Sequence, residues 1–183
     1  MSNYFKFFYL KKVDSTNMDI RKKSIQTKKN IALFSEIQSS GKGRLNNVWY
    51  SKDGDLTCSF LLREKFSINR VGQINILACV SLFQVLEYMY EDIKFKIKWP
   101  NDIYVNEKKI AGILIETKIK GTLLDYFIIG FGVNLVSSPK GLKYNTTSIS
   151  DFSRKLNPKA IFLNLARYIE KKIKFLNKNK FSV

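Results

Sequence analysis

Between Val71 and Tyr90 the apolar residues Ile74, Leu77, Ala78, Leu82, Val85, Leu86 and Met89 recur every three or four positions. That spacing lines one face of a helix and predicts a central core helix. A second stripe of the same period runs through KAIFLNLARYIEKKIKFL, just behind Pro158, whose fixed φ suits a first helical position. A third, short and polar helix is expected in TNMDIRKKSIQ, because DSTN supplies residues that favour a helix N-cap. Elsewhere the pattern is that of strands. Residues 4–11 alternate weakly and are aromatic-rich, and IALFSEIQ and LTCSFLLR are short apolar runs. FKIKW, DIYVN, KIAGILIETKI and LLDYFIIGFGVNL follow one another with tight turns at NEKK and KIKG, which predicts an antiparallel meander. SSGKGRLNNVWYSKDGD has no apolar period and reads as loop. With no internal repeat or linker, residues 1–183 are expected to form a single α+β domain, a largely antiparallel sheet with helices packed on one face. The tail NKNKFSV is expected to fray.

Composition narrows the chemistry. A chain of 183 residues can bury roughly 70% of its unfolded surface, so a sizeable core is available. No apolar run reaches the ~20 residues of a membrane span, and no membrane partner is expected. The first residues, MSNYFKFFYLKKVDS, read as a strand rather than a leader. Cys58 and Cys79 are far apart among apolar neighbours, which suggests a reducing, cytoplasmic setting instead of a disulfide framework or a zinc site. The chain contains no histidine. Ser-His-Asp and Cys-His nucleophile systems are therefore excluded, and catalysis must rest on Lys, Arg, Asp, Asn, backbone amides or a bound metal. The 32 Lys and Arg against 15 Asp and Glu, net +17, point to an anionic partner. Those cations are scattered, however, so compositional drift towards Lys, Ile and Asn, acidic protein or nucleotide ligands, and nucleic acid all stay open.

Three polar, glycine-bearing segments stand at strand ends. In SSGKGR, Gly41 and Gly43 allow close backbone approach and an anion-binding nest, while Lys42 and Arg44 add full charge. The spacing is not that of a Walker A loop. In KWPNDIYVNEKK, Pro100 stiffens the approach to Asn101 and Asp102, and Lys108 and Lys109 follow. IGFGVN places Gly130 and Gly132 at the end of an apolar strand, with the amide of Asn134 beyond. Singly, these are a flexible loop, an Asx-type turn and a bulge. Together they could hold a nucleotide and a carboxylate side by side.

DSTN, EIQSSGKGR with Trp49 behind it, KWPNDIYVNEKKIAGILIE and IGFGVNL occur in this order. The set resembles the catalytic domain of biotin–protein ligases, over residues from about 5 to 175. The resemblance implies an α+β fold shared with lipoate–protein ligases and a two-step reaction. Biotin is activated by Mg-ATP as biotinyl-adenylate, and a lysine of a biotin carboxyl-carrier domain then takes the biotinyl group. ATP and Mg2+ are thus the implied cofactors, with biotin as substrate; no metal-ligating residues can be assigned. By position, the resemblance places Ser15, Thr16, Asn17 and Gln38 at the biotin ureido end, with Gly41, Lys42 and Gly112 bordering biotin. It gives Arg44 and Lys109 to the carboxylate and phosphate, Asn101 and Asp102 to the adenylate and incoming amine, and Trp49 and Asn134 to the adenine. Lys109, Arg44 and Asp102 are the expected catalytic residues. The loop from Gly41 to Trp49 would close over the adenylate.

The chain departs from the pattern at Lys42 and Asn47, where many relatives have Arg, so looser adenylate retention is expected. With no winged-helix segment before the first strand, specific DNA binding is not expected. Nor does the small C-terminal β-domain of most relatives follow the last helix, which implies weaker ATP and acceptor binding. A homodimer is one of the open oligomeric states. Three rivals remain: a lipoate or octanoate ligase of the same superfamily, a non-catalytic basic nucleic-acid-binding module, and a decayed ligase that only binds the adenylate. Ser15, Thr16 and Gln38 favour biotin over an acyl chain, because a ring with donors and acceptors needs polar partners.

Overall fold

The computed structural model describes residues 3–178, the side chain of Asn46 excepted. In chain order the elements are β1 (Phe5–Val13), α1 (Thr16–Lys23), β2 (Asn30–Gln38), β3 (Gly41–Lys42), β4 (Val48–Trp49), β5 (Leu56–Leu62), α2 (Val71–Met89), β6 (Lys96–Lys98), β7 (Asp102–Val105), β8 (Lys108–Lys120), β9 (Leu123–Val133) and α3 (Pro158–Lys178). Helix α3 takes in Asn177 and Lys178, the first residues of the tail expected to fray; the other five lie outside the described residues.

Seven strands form one sheet in the order β1-β2-β5-β9-β8-β7-β6, and the meander β6 to β9 is antiparallel as expected. Strands β1 and β2 pair in parallel, which is possible because α1 forms the crossover between them. The segment expected as pure loop contains the small hairpin β3–β4, in which Gly41 faces Trp49.

Alternation along the strands separates two faces. Ala32 and Phe34 of β2, Cys58 and Phe60 of β5, and Phe127, Ile129 and Phe131 of β9 join α2 and α3 in the main core. There the Phe162 ring of α3 stands 5.4 Å from that of Phe60. The stretch Ile68–Met89 is apolar and long enough for a membrane span by length and composition, contrary to the expectation that no run reaches that length. Its periodic side chains, Ile74, Leu77, Leu82 and Val85 among them, are buried in this core, which accounts for the hydropathy.

The two long helices share one face, as expected, but α1 lies on the other. Ile20 of α1 packs there with Ile31, Leu33, Leu61, Tyr126 and Ile128, the alternate residues of β2, β5 and β9. Further along the same face the alternate positions turn small or polar: Thr57 and Ser59 on β5, Gly130 and Gly132 on β9, Gly112 on β8. Where large side chains stop, a cleft opens.

Candidate active site

The cleft encloses about 280 Å³, and eleven of the thirteen expected site residues line it. One end is polar. Ser15 occupies the N-cap position of α1, yet its side chain makes no capping bond, and Ser15, Thr16 and Asn17 are all buried at the cleft wall. Gln38, the last residue of β2, accepts from Thr16 N at 2.8 Å and lies 3.1 Å from Thr16 Oγ1. The helix start that looked like a capping signal in DSTN thus puts its hydroxyls and amide into the site.

The floor is a shelf of glycines. Gly112 and Gly132 are direct cross-strand partners on β8 and β9, and the Trp49 indole lies against both. A Cβ at Gly132 would overlap the indole, and one at Gly112 would meet it at 2.9 Å. Similarly, a Cβ at Gly130 would overlap the Asn17 amide. These glycines are there because side chains from α1 and β4 need the space, a close-approach role that IGFGVN only hinted at.

Charge is concentrated at the opposite end. Lys109 Nζ lies 2.8 Å from Asp102 Oδ1, with side chains 12% and 21% exposed. Asp102 Oδ1 has no aligned hydrogen-bond donor among the described residues, so the contact is a charge pairing without a directional bond. Aromatic faces flank the ammonium, with the Tyr144 ring centroid at 4.9 Å and that of Trp49 at 5.6 Å. Lys42, at the end of β3, and Arg44, on the loop after it, are exposed. Arg44 donates to Asn101 Oδ1 at 3.0 Å, and Asn101 is itself tied to β8 through Ile113, by Nδ2 to Ile113 O at 3.0 Å and Ile113 N to Asn101 O at 2.9 Å.

Lys109 reaches the cleft through a break in register. Gly112 and Leu114 line the cleft from alternate positions of β8, so strict alternation would bring Lys108, not Lys109, to the same face. Instead the pairing of β7 with β8 slips by one residue: Ile103 faces Ala111 but Tyr104 faces Lys109. Ile110 and Ala111 are consequently both buried in the main core, Lys109 turns to the cleft, and Lys108 is exposed. Here β8 has passed the end of β9, and the following loop holds it: Lys109 N donates to Asn145 O at 2.9 Å and Thr147 N to Lys109 O at 3.0 Å.

Two expected residues sit behind the cleft wall. Gly41 is buried against the Gln38 amide and Trp49, where no Cβ fits. Asn134 is 2% exposed and donates to Thr147 O at 3.0 Å, in a small side cavity it shares with Trp49 and Tyr144. Sequence reasoning missed Tyr144, which lies in a loop without any periodic signal. It also missed Ser59 and Glu116. Both carried a faint one, as polar residues set into apolar strands.

The Biotin/lipoate A/B protein ligase family matches this chain over residues 8–134. The bifunctional ligase/repressor BirA of Bacillus spizizenii is 35% identical over 126 residues, 66% of this chain and 38% of the relative. The biotin–[acetyl-CoA-carboxylase] ligase of Paracoccus denitrificans is 29% identical over 131 residues, 71% of this chain and 55% of the relative. The chain therefore spans less than two thirds of the length of these relatives. Among solved structures, the biotin protein ligase of Aquifex aeolicus in complex with biotin and ATP superposes with a TM-score of 0.78 at 30% identity, covering 96% of this chain and 73% of that one. With the family's match extending over more than half of its residues, this chain belongs to the biotin/lipoate A/B protein ligase family.

Proposed function

We propose that the protein activates biotin with ATP as biotinyl-adenylate and transfers the biotinyl group to a lysine of a biotin carboxyl-carrier domain. The observation that carries this reading is the polarity of the cleft: neutral donors and acceptors at one end, cations at the other, with a glycine shelf between them. A ureido ring and a carboxylate at the two ends of one ligand match that layout. Thr16 and Gln38 would take the ring. Lys109 and Arg44 would hold the carboxylate and the α-phosphate, two anions that repel one another until cations stand between them.

In the first step a biotin carboxylate oxygen attacks the α-phosphorus of ATP, forming the acyl–phosphate bond and releasing pyrophosphate. Lys109 would neutralise charge as it builds between the two groups. Its pairing with Asp102 at 2.8 Å keeps the ammonium beside the cleft before ligands enter. In the second step the acceptor lysine's amine attacks the acyl carbon, AMP leaves, and Asp102 is placed to take the amine's proton. The nucleophile arrives on the partner, which fits a chain without histidine. Trp49 offers its indole face to the adenine, with Asn134 behind it.

Among the described residues no three metal-ligating side chains converge, and Asp102 is the one carboxylate lining the cleft. That donor set fits magnesium carried in on the nucleotide, because Mg2+ keeps phosphate oxygens and water as most of its ligands. It would add positive charge on the phosphates. We place the reaction in the cytoplasm, where ATP is available and the free thiols of Cys58 and Cys79 stay reduced. One domain would carry both steps. A lipoyl substrate is disfavoured, since its dithiolane offers no N–H or C=O to the donor and acceptor that Gln38 and Thr16 turn to the cleft.

The test is incubation with biotin, Mg-ATP and a purified carboxyl-carrier domain, read by streptavidin blot. An ATP-dependent band on the carrier is expected. Lipoylation of a lipoyl domain with no biotinylation would overturn the reading.

A further inference from the structure

A chain of buried polar groups runs from the cleft to the outer edge of β8, and it ends on a carboxylate. Glu116 Oε2 accepts from Asn17 Nδ2 at 2.7 Å, while Glu116 Oε1 pairs with Arg21 at 2.9 Å. Asn17 Oδ1 lies 2.6 Å from Ser59 Oγ, and Ser59 Oγ lies 2.8 Å from Thr16 Oγ1. Ser59 is 0% exposed, Thr16 4% and Asn17 5%. We propose that Glu116 is a positioning residue that sets the direction of every proton in this relay and so makes Thr16 an acceptor towards the cleft. The proposal rests on the biotin reading above and deepens it.

The assignment follows from counting protons. An ionised carboxylate only accepts, so the end of the Asn17 amide facing Glu116 must be NH2, and the end facing Ser59 must be the carbonyl oxygen. That oxygen also only accepts, so the single Ser59 proton is committed to it. The 2.8 Å contact between Ser59 and Thr16 then needs the Thr16 proton. Gln38 Oε1 could take that proton from Thr16 Oγ1 only over a longer contact, 3.1 Å, and it already accepts from Thr16 N. Thr16 Oγ1 is left with a lone pair for the cleft. Gln38, its oxygen engaged, has Nε2 to donate. An acceptor beside a donor is the complement of one N–H and the C=O of a cyclic urea.

The charge on Glu116 is what excludes the reverse order. With a neutral amide in its place, Asn17 can turn over and donate to Ser59. Ser59 can then donate to Thr16, and the Thr16 proton is displaced towards Gln38 or the cleft. In the states where that proton faces the cleft, selectivity for an N–H at this position is lost, through a side chain that does not itself line the cleft. Arg21 holds the carboxylate in place from outside.

Calorimetry of the full chain with biotin and with a cyclic carbamate analogue, in which ring oxygen replaces the N–H facing Thr16, tests this. In the wild type the analogue sets oxygen against oxygen, and biotin is expected to bind on the order of 100-fold tighter. Glu116→Gln keeps the shape and removes the charge. It should weaken biotin roughly tenfold while narrowing the ratio to below about ten. Ser59→Ala, which cuts the relay at its middle, should narrow the ratio likewise. A purely structural role would weaken both ligands alike and leave the ratio within about twofold of wild type, and that result overturns the proposal. Wild-type protein that binds neither biotin nor the analogue would sink the biotin reading itself.

Discussion

Lys108 and Lys109 are adjacent in sequence and identical in chemistry, and the fold treats them oppositely. Lys109 is 12% exposed and paired with Asp102, while Lys108 points to solvent. If Lys109 bridges the carboxylate and the α-phosphate, its charge matters most as negative charge develops between them. Lys109→Ala is then expected to cost about 3–4 kcal/mol in biotin-dependent ATP–pyrophosphate exchange, on the order of 10²–10³ in rate. Lys108→Ala should change the rate by less than about threefold, as an exposed charge does. Near-normal exchange in both variants would remove Lys109 from the reaction.

At the scale of elements, two segments hold the site. The loop joining β3 to β4 carries Arg44, and its Leu45 adopts φ 53 while 91% exposed. A large apolar residue held out in a left-handed conformation gains from a bound ligand to cover it. Amide exchange between Gly41 and Trp49 should therefore slow markedly when biotin and ATP are added together; unchanged exchange counts against closure. The second segment follows β9 and supplies Tyr144 and the backbone partners of Lys109. Its start is anchored by Asp55, just before β5, which is 2% exposed and accepts from Leu135 N at 2.8 Å, Val136 N at 2.9 Å, Ser137 N at 3.1 Å and Lys52 N at 2.9 Å, as well as from the Ser137 hydroxyl. Asp55→Ala would strand several of these donors at once. A loss of about 3 kcal/mol or more in urea unfolding is expected, with a smaller loss for Asp55→Asn, whose oxygen can keep part of the set. Equal stability of all three proteins would show that the carboxylate is dispensable.

For the whole molecule, the groups that titrate abnormally lie mostly in the core. Burial raises the Cys58 thiol and pushes that of Cys79 up to about 11, with the nearby Asp102 charge adding to it. Burial also raises the phenols of Tyr90 and of Tyr4, which is further bonded to Glu64. All four are acids that stay neutral in the fold where the unfolded chain would ionise them. Their contribution is fully present below the ordinary thiol and phenol values and is lost as pH rises through the window above them. Melting temperature should hold between pH 7 and 8 and fall steadily from about pH 9. A flat profile up to about pH 10.5 would contradict this.

Local pattern was enough for the three helices, the strands of the seven-stranded sheet and the polar clusters at residues 41–44 and 101–102, while Ser15, Thr16, Asn17, Gln38 and Trp49 were placed in the site by the family resemblance. The stripes of α2 and α3 report burial of one face directly, because a helix repeats every 3.6 residues wherever it packs. GKGR and PND could be recognised as chemistry because costly polar types stood at strand ends, whereas DSTN read only as a helix cap until the resemblance gave it a place in the site. Alternation in β8, however, selects Lys108 for the cleft. Only the register slip at Ile110 reverses that choice, and it arises where the strand outruns β9 and bonds to a loop some 35 residues further on. The glycine shelf was equally out of reach, since Gly112, Gly130 and Gly132 make sense only against Trp49 and Asn17. So was the relay, whose members at positions 16, 17, 59 and 116 have no common period. Periodicity senses what a segment buries on its own face. What reaches across from another segment is decided when the sheet closes.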